Sequence, residues 1–276
     1  MIQWFPGHMM KAKKEMAEIL RLIDIVIELI DARIPQSSQN PLFHDIVKNK
    51  PRLLLLTKSM LADDAMTKSW IKVYEQEGNP CFMIDSISGF NINRIASFSR
   101  EILKDKIEHD RARGLKDRPM RAMVIGVPNV GKSTFINSLV KKKVSAVGNR
   151  PGVTKAQQWI RINKDFELLD TPGVLWPKFE DQTQGYHLAL TGAIRDEVLK
   201  KEDLVLYLLD YLKTFYPTYL QKYMECQDLS EPHLIDQFGR RMGIGEEDTD
   251  RIYEIILKDF RAGVIGRISL DRVKHE

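Results

Sequence analysis

The stretch Gly126–Ser133, which reads GVPNVGKS, constrains this chain more than any other part of it. Its G-x-x-x-x-G-K-S spacing is typical of a phosphate-binding loop, in which backbone N–H groups turn toward phosphate oxygens. Lys132 can then reach the β- and γ-phosphates, and the Ser133 hydroxyl can ligate Mg²⁺. The apolar run Ala122–Ile125 predicts a buried strand before the loop, and Thr134–Leu139 predicts a helix whose N-terminus faces the anion. The sequence therefore predicts an α/β domain that binds a nucleoside triphosphate.

Two segments after this loop predict a switch that responds to the γ-phosphate. Asp170–Gly173 reads DTPG and ends an apolar run, so that Asp170 can hold Mg²⁺ through water and the Gly173 N–H can meet the γ-phosphate. Between the two motifs, Asn149–Thr154 ends in a hydroxyl, and Thr154 is the natural second Mg²⁺ ligand, released when the γ-phosphate leaves. A D-x-x-G motif in this order after a phosphate loop indicates a GTPase. The predicted metal ligands are Ser133, Thr154 and Asp170.

The segments that would read the base lie before the phosphate loop instead of after it. In a GTPase, an N-K-x-D loop and a second, S-A-like loop normally follow D-x-x-G, and nothing of that kind follows Gly173. Here Thr57–Met60 follows the apolar run Leu53–Leu56, and Ser86–Ser88 follows the next run. These are the strand ends at which open α/β sheets place their ligands. The order is a circular permutation, which is tolerated because the termini of a domain often lie close together.

These motifs predict an α/β fold that begins with a circularly permuted phosphate-loop GTPase domain. We expect this domain to be doubly wound around a mostly parallel sheet. A smaller all-α domain follows it. Beyond about residue 178, apolar residues recur at helical spacing, as in Leu204–Leu212 and Ile252–Phe260. We place the GTPase domain at residues 1–177 and the helical domain at 178–276. The residues predicted to bind the nucleotide are Thr57, Lys58, Ser86, Ile87, Ser88, Asn129, Val130, Gly131, Lys132, Ser133, Thr134 and Gly173.

The permuted order and three further motifs resemble the ribosome biogenesis GTPase A family, also called YlqF. The motifs are WFPGHM at Trp4–Met9, DARIP at Asp31–Pro35 and DTPGVLWPK at Asp170–Lys178. The resemblance runs with specific motifs from residue 2 to about Arg195 and more loosely to the C-terminus. It implies a GTPase domain, a helical RNA-binding C-terminal domain, and the large ribosomal subunit with its rRNA as partner. We expect GTP with Mg²⁺ to favour docking on this subunit, and hydrolysis to release the protein.

The chain departs from this family at the guanine-reading motif, where N-K-x-D is replaced by Thr57-Lys58-Ser59-Met60. The family's aspartate accepts hydrogen bonds from guanine N1–H and N2–H₂, whereas the Met60 thioether is a weak acceptor. At roughly 1.5–3 kcal/mol for each hydrogen bond to a charged group, the loss predicts GTP binding through the phosphates with reduced base selectivity. Thr57 is shorter than asparagine, which predicts that it does not tie this loop to the phosphate loop. Recruitment of Asp63 or Asp64 by a shifted loop is disfavoured.

The switch motif does not identify the group that orients the attacking water. Many Ras-like GTPases place a glutamine after D-x-x-G, but Val174 cannot form a hydrogen bond through its side chain. Three groups could take the place of this glutamine. The first is His8, since histidine is a neutral-pH acid/base group and the resemblance favours it. The second is K⁺ near Asn129, which matches the asparagine of potassium-stimulated GTPases, and the third is a group from ribosomal RNA or protein. A structural His8 that caps the first helix is an equal alternative. In each case we expect low intrinsic turnover that a partner stimulates. The predicted catalytic residues are His8, Lys132 and Thr154.

Composition agrees with a globular protein that has no membrane segment. The 276 residues suit one α/β domain plus a smaller one, with 43% hydrophobic and 29% charged residues. The formal charge of +4 permits RNA binding without establishing it. Cys81 and Cys226 are far apart, so neither a disulfide framework nor a cysteine zinc site is predicted. Because no run approaches about 18 apolar residues, we predict that the protein does not bind membranes and is cytoplasmic by default. We also expect a monomer.

Basic side chains outside the motifs have structural and functional interpretations. Met9–Leu22 and Lys141–Lys143 are either solvated surface or contacts for RNA phosphate, and Arg33 either approaches a phosphate or anchors its loop by a salt bridge. A phosphate-binding face in the C-terminal part could be formed by Arg240, Arg241, Arg251, Lys258, Arg261, Arg267, Arg272 and Lys274. Two alternatives to an assembly GTPase stay open. One is a nucleotide-binding scaffold with negligible hydrolysis, and the other is a permuted GTPase that acts on a non-ribosomal RNA or protein.

Overall fold

The strands of this protein form a sheet in the order β3-β2-β1-β4-β6-β5. The computed structural model describes residues 18–41, 47, 50–140, 158–170, 181–229, 233–245 and 248–273. Neighbouring strands are parallel from β3 to β6, and β5 pairs antiparallel with β6 at one edge. The predicted α/β class with a mostly parallel sheet is therefore confirmed. The strands are β1 Ile25–Asp31, β2 Arg52–Thr57, β3 Cys81–Met83, β4 Met120–Ile125, β5 Gln158–Asn163 and β6 Phe166–Asp170.

Burial on both faces explains why these strands are continuous apolar runs. All seven residues of β1 are buried. In β2, Leu53 and Leu55 belong to the main core, whereas Leu54 packs with Trp70 in a second cluster on the other face. Strands of a parallel sheet that is covered on both faces lose the alternation of polar and apolar residues. The expected strands at Leu53–Leu56 and Ala122–Ile125 are confirmed as parts of β2 and β4, and the apolar run before Asp170 forms β6.

The sheet register brings the predicted nucleotide loops to one edge. Asp31 at the end of β1 lies opposite Thr57 at the end of β2. On its other side β1 pairs with β4, where Glu28 lies opposite Ile125 just before the phosphate loop. The carboxyl end of β1 therefore separates the loop that follows β2 from the loop that follows β4.

Beyond β6, the elements of the described chain are all helical, as the apolar spacing predicts. The predicted boundary between residues 177 and 178 itself lies outside the described residues. No helix in the described ranges combines the length and apolar character needed to cross a bilayer. The α-helices, numbered within the described chain, are α1 Asp64–Gln76, α2 Ile95–Ile102, α3 Lys104–Ala112, α4 Lys132–Val140, α5 Gln182–Leu190, α6 Lys201–Phe215, α7 Pro217–Met224, α8 Leu234–Arg241 and α9 Thr249–Ala262.

Helix α9 ends against the loop that follows β2. Its last turn is closed by Gly263 in the left-handed region, with φ 78°. A Cβ atom at this position would lie 2.7 Å from Cδ2 of Leu61, which belongs to the 3₁₀ turn Ser59–Leu61. Only glycine fits both the backbone conformation and the close approach. The helical part therefore contacts the predicted base-reading segment directly.

The structure differs from the sequence interpretation in several segments. Helix α1 and edge strand β5 are not predicted from the sequence, because their polar exposed faces interrupt the apolar pattern. The charged segment Glu101–Pro119 contains α3, which has no buried residue. Of the basic segment Met9–Leu22, only residues from Glu18 onward are described, and Leu20–Leu22 form a 3₁₀ turn.

Candidate functional site

The phosphate loop joins β4 to α4 with the backbone that the motif requires. Asn129 and Gly131 both have left-handed φ angles, of 57° and 106°. A Cβ atom at Gly126 would lie 2.8 Å from the Leu29 carbonyl oxygen, so the loop passes too close to β1 for any side chain there. Helix α4 begins at Lys132, and its N-terminus faces the loop. The predicted strand, loop and helix are thus present.

Lys132 is buried inside this loop, with 7% of its surface exposed. Its Nζ donates to the carbonyl oxygens of Gly126 and Val127, each at 3.0 Å. Burial lowers the pKa of Lys132 to about 8, against the opposing charge of Asp170. The ammonium group therefore lies within a ring of backbone dipoles at the place where the motif predicts a phosphate contact.

The predicted magnesium ligands are only partly described. Asp170 is buried at the end of β6, in register with Val124 of the strand that leads into the phosphate loop. Ser133 and Thr134 lie in the first turn of α4. A hydroxyl and a carboxylate are hard oxygen ligands of the kind that Mg²⁺ takes together with water and phosphate oxygens. The described residues contain no group of three or more histidine, cysteine or acidic side chains that could hold a metal by themselves. These residues fit a Mg²⁺ ion completed by the nucleotide.

Several residues predicted to act at this site cannot be placed. Outside the described residues lie His8, Lys141–Lys143, Thr154, Gly173, Val174 and Lys274.

Thr57 ties the loop after β2 to the phosphate loop. Its Oγ1 lies 2.8 Å from the Val130 carbonyl oxygen and 3.1 Å from that of Ile30. The prediction that Thr57 does not tie this loop to the phosphate loop was wrong. The sheet register places Thr57 close enough to the phosphate loop for a short hydroxyl to span the gap.

Lys58 is fixed between the phosphate loop and the end of β1. Its Nζ donates to the Asn129 carbonyl oxygen at 2.6 Å and to Asp31 Oδ2 at 2.9 Å. Its backbone adopts the left-handed conformation, with φ 55°. Burial lowers the pKa of Lys58, and the charge of Asp31 opposes this effect. The lysine of the motif therefore has a defined position even though the motif lacks its asparagine and aspartate.

Asp31 organises two cations and is a residue that the motif analysis missed as a site component. Besides Lys58, it accepts hydrogen bonds from the Arg33 guanidinium at 3.0 and 2.8 Å. Burial raises the pKa of Asp31, but the charges of Arg33 and Lys58 outweigh this and hold it well below its ordinary value. The sequence signals were its position in the DARIP motif and an acidic residue at the carboxyl end of a buried strand.

Arg33 anchors its loop through a buried ion pair with Asp31 at 2.8 Å. It is 2% exposed, and its Nη1 lies 3.5 Å from the Arg261 carbonyl oxygen. Its guanidinium carbon lies 5.7 Å from the centre of the Phe260 ring. Of the two interpretations left open by the sequence, the salt-bridge anchor is therefore correct. Arg33 joins the end of β1 to the last turn of α9.

Met60 stands where the family has an aspartate, and its side chain is 52% exposed. Asp63 does not replace it, because its carboxylate caps α1 by accepting from the Met66 N–H at 3.1 Å. Asp64 pairs with Lys68 at 2.6 Å on the exposed surface of α1. The expectation that neither aspartate is recruited agrees with these contacts.

The second predicted base-reading segment is a turn built around Asp85. The Asp85 Oδ2 accepts hydrogen bonds from the backbone N–H and the hydroxyl of Ser88, both at 2.8 Å. The turn lies beside the loop after β2, since the Ser59 N–H donates to the Ile84 carbonyl oxygen at 3.3 Å. Ile87 at the tip is 88% exposed. The structure therefore brings together the two segments that the sequence assigned to the base.

The phosphate loop is hydrogen-bonded to the C-terminal helices. The Asn129 side-chain amide donates to the Gly192 carbonyl oxygen at 2.7 Å, in the turn after α5. The Arg261 guanidinium supports this turn, because it donates to the Leu190 carbonyl oxygen at 3.0 Å and pairs with Asp196 at 2.6 Å. Nothing in the sequence pattern indicated this contact between distant segments.

A buried cluster of serine, histidine and aspartate lies behind the site. His187 Nδ1 contacts Asp271 Oδ1 at 2.7 Å and Ser37 Oγ at 3.2 Å, and its Nε2 contacts the Tyr207 hydroxyl at 2.7 Å. The serine and the aspartate meet the same ring nitrogen, so this is not a relay that activates a nucleophile. Ser37, His187 and Asp271 are each at most 6% exposed. The cluster holds α5 to the loop after β1.

The segment Arg267–Asp271, which we call the C-terminal strap, crosses the loops at the carboxyl ends of β1 and β2. Its Ile268 N–H donates to the Leu61 carbonyl oxygen at 3.1 Å. Its Leu270 N–H donates to the Arg33 carbonyl oxygen at 2.7 Å. The last described part of the chain thus fixes the base-reading side of the site.

A phosphate loop after β4, preceded in the chain by base-reading loops after β2 and β3, defines a circularly permuted phosphate-loop GTPase. A family model described as 50S ribosome-binding GTPase matches residues 121–236. Ribosome biogenesis GTPase A of Bacillus licheniformis is 47% identical over 277 residues, which cover 98% of each chain. The chain therefore belongs to the ribosome biogenesis GTPase A family, as the motif resemblance predicts.

Other relatives agree over nearly the full length. Ribosome biogenesis GTPase A of Priestia megaterium is 48% identical and covers 98% of this chain and 96% of its own. Mitochondrial ribosome-associated GTPase 1 of Mus musculus is 33% identical and covers 98% and 90%. The crystal structure of GNP-bound YlqF from T. maritima superposes with a TM-score of 0.67 at 23% identity, covering 95% of this chain and 98% of that one. The structural likeness supports the fold.

Proposed function

We propose that this GTPase acts in assembly of the large ribosomal subunit, docks on its rRNA in the GTP state, and leaves after hydrolysis. The names of the relatives support a role in ribosome biogenesis, and the description of the matching family model supports the large subunit as partner. The observation that carries the proposal is the hydrogen bond from Asn129 to Gly192. It connects the phosphate loop to the C-terminal helices, so that a change at the phosphates can alter a distant docking surface.

The proposed hydrolytic site uses the phosphate-loop residues in their usual roles. Lys132 leaves its backbone carbonyl partners for the β- and γ-phosphate oxygens, where its charge stabilises the transition state. Ser133 and Thr154 would ligate Mg²⁺ directly, and Asp170 would hold it through water. The ion would neutralise charge on the phosphates. The Gly173 N–H would meet the γ-phosphate, and loss of this phosphate would release the segment that contains Thr154.

The attacking water needs a group other than Val174. His8, K⁺ near Asn129 and a ribosomal group are the three proposed sources. All three predict slow turnover of the isolated protein and faster turnover on its partner, because none is completed by the isolated phosphate loop alone. A His8→Ala variant assayed with and without subunits, in potassium and in sodium buffers, separates the three sources.

We propose that the RNA-binding face lies on α9. Arg241, Arg261 and Arg267 were predicted for this face, but each donates to backbone carbonyl oxygens within the fold. Arg251 and Lys258 are exposed and lie two helical turns apart, on one side of α9. Contacts from such side chains to RNA phosphates would recognise shape and charge more than sequence.

The test is GTP hydrolysis with and without purified large ribosomal subunits, with ATP in parallel. We expect subunits to raise GTP turnover, and Lys132→Ala to abolish the increase. If the subunits leave turnover unchanged, the assembly role is wrong. The protein would act in the cytoplasm as a monomer, and sedimentation in the absence of subunits should give the mass of one chain.

A nucleotide-binding scaffold with negligible hydrolysis is the second candidate. The observation in its favour is Met60, which stands exposed where the base-reading aspartate belongs. Single-turnover hydrolysis on bound subunits separates the two, because a scaffold would retain GTP there unhydrolysed.

A further inference from the structure

We propose that this site recognises purine nucleotides by the 6-oxo group and does not read the substituent at C2. Guanosine and inosine nucleotides would then bind alike, and xanthosine nucleotides would be accepted. The inference rests on the proposed function, because it takes the nucleotide site as given and names its substrate class. It starts from Met60, whose side chain is 52% exposed in the loop after β2.

In the described part of the chain, the two aspartates that follow Met60 most closely both have other partners. The Asp63 carboxylate accepts from the Met66 N–H at 3.1 Å and from the Tyr216 hydroxyl at 3.2 Å. The Asp64 carboxylate is drawn to Lys68, which lowers its pKa. Both aspartates are therefore engaged by the helices and not by the base-reading loop.

The C2 substituent of a purine is distinguished by a carboxylate and not by a thioether. Guanine presents N1–H and a 2-amino group, hypoxanthine presents N1–H alone, and xanthine carries a carbonyl oxygen at C2. A carboxylate accepts two hydrogen bonds from guanine and one from hypoxanthine, and it repels the C2 carbonyl oxygen of xanthine. Methionine sulfur is a weak, uncharged acceptor, so it neither forms a strong hydrogen bond with the amino group of guanine nor repels the carbonyl oxygen of xanthine. Met60 should therefore leave the three bases nearly equivalent.

The 6-oxo group, by contrast, still has donors. The Asp85 carboxylate is 5% exposed and is bonded to the Ser88 N–H and hydroxyl, so the acceptor of this turn faces inward. The backbone N–H groups of Ser86 and Ile87 donate to no other described residue. A turn that offers donors suits a carbonyl oxygen at C6 and opposes the 6-amino group of adenine. Recognition at C6 is thus retained while recognition at C2 is lost.

The position of these donors is fixed by contacts independent of Met60. The Ser59 N–H donates to the Ile84 carbonyl oxygen, which joins the turn to the loop after β2. Thr57 and Lys58 in turn bind the phosphate loop through the carbonyl oxygens of Val130 and Asn129. Loss of the aspartate therefore removes one hydrogen-bonding group from an otherwise ordered site.

The test is displacement of a fluorescent GDP analogue by GDP, IDP, XDP and ADP. For the unmodified chain we expect GDP and IDP to bind within about threefold of each other, and ADP to bind at least about tenfold more weakly. In Met60→Asp, GDP should gain about ten- to a hundredfold over IDP, and XDP should no longer compete. Met60→Leu is the matched control, since it keeps size and apolar character and should behave like the unmodified chain. Because the side chain is half-exposed, neither variant should lower the thermal midpoint.

The outcomes separate this inference from the proposed function. A preference for GDP over IDP of about tenfold or more in the unmodified chain would overturn it, while subunit-stimulated GTP hydrolysis would still support the assembly role. Equal binding of ADP and GDP would overturn the retained recognition at C6. Failure of all four nucleotides to compete would overturn both the inference and the nucleotide site.

Discussion

Lys58 Nζ lies 2.9 Å from Asp31 Oδ2, so the lysine of the base-reading loop is held by a carboxylate at the end of the neighbouring strand. The same carboxylate binds the Arg33 guanidinium at 2.8 Å. Two cations around one buried anion compensate for the cost of removing these charges from water. This arrangement makes Asp31 a positioning residue for Lys58, although Asp31 belongs to neither the phosphate loop nor the two segments predicted to read the base.

Asp31→Asn should destabilise the protein and weaken nucleotide binding together. Removal of one partner from a buried ion pair costs about 3 kcal/mol or more, because the remaining charges lose their compensation. Released from Asp31, Lys58 should also lose its fixed position, and the GDP dissociation constant should rise about tenfold. Urea unfolding and calorimetric GDP titration measure the two effects.

Asp24→Asn is the matched control, because Asp24 precedes the same strand at its opposite end. It is 6% exposed and paired with Arg118 at 2.8 Å and with Lys106. We expect this change to lower the free energy of unfolding without altering GDP affinity. Equal loss of GDP affinity in both variants would show that Asp31 acts through general stability and not through Lys58.

Thr57→Val should loosen the phosphate loop. Valine keeps the shape of threonine but removes the hydroxyl that binds the Val130 carbonyl oxygen, at a cost of about 1 kcal/mol in unfolding free energy. GDP affinity should fall as well. Thr67→Val is a fair comparison, since that buried hydroxyl bonds the Asp63 carbonyl oxygen within α1 at 2.7 Å. GDP titration of both variants should show a loss for Thr57→Val alone, and unchanged affinity there would contradict the role of this tie.

Glu28 should make the protein less stable as pH rises toward neutrality. Its side chain is buried in the sheet, and burial raises its pKa to about 7, although Arg52 at 3.3 Å acts in the opposite direction. Between the unfolded pKa near 4.5 and the folded value, the native state binds the proton that the unfolded state has lost. Stability must then fall with increasing pH, by up to about 1.4 kcal/mol per pH unit, and level off above the folded pKa. Urea unfolding of Glu28→Gln at pH 5 to 8 should lack this slope, and identical pH profiles for both proteins would refute it.

Arg251→Glu combined with Lys258→Glu should weaken association with large ribosomal subunits. Both side chains are exposed on one side of α9, so their reversal repels RNA phosphates without disturbing the core. Loss of two phosphate contacts should lower the slope of log affinity against log salt by roughly two. Lys72→Glu on the exposed surface of α1 is the control for charge alone. Co-sedimentation over a salt series measures the slope, and an equal effect of Lys72→Glu would remove α9 as the docking face.

Local spacing was enough to predict the phosphate loop, because eight consecutive residues carry both its conformation and its chemistry. The Thr57 contact was not predictable in this way, since its acceptor lies 73 residues further along the chain and is reached only through the sheet register. For Arg33 the separation from its carbonyl partner is 228 residues. The sequence offered both interpretations of this arginine and had no means to choose between them.

The buried cluster around His187 also could not be predicted from the sequence, because it joins three distant segments. Its contacts join Ser37, His187 and Asp271, which are separated by 150 and 84 residues. None of the three lies in a motif, and each alone is an ordinary polar residue. Only packing of α5 and the strap against the loop after β1 brings them together. Sequence reasoning recovers chemistry that is contiguous, and misses chemistry that three distant segments share.

The C-terminal strap lies far from the loops after β1 and β2 in the sequence but is hydrogen-bonded to them in the fold. A fragment that ended near residue 177 would contain every nucleotide motif, yet its Arg33 and Leu61 carbonyl oxygens would lose the N–H groups of Leu270 and Ile268. The loops beside β1 and β2 would be left uncovered. The helical part therefore supplies hydrogen bonds that the loops after β1 and β2 lack on their own, and these bonds can form only after the strap has been translated.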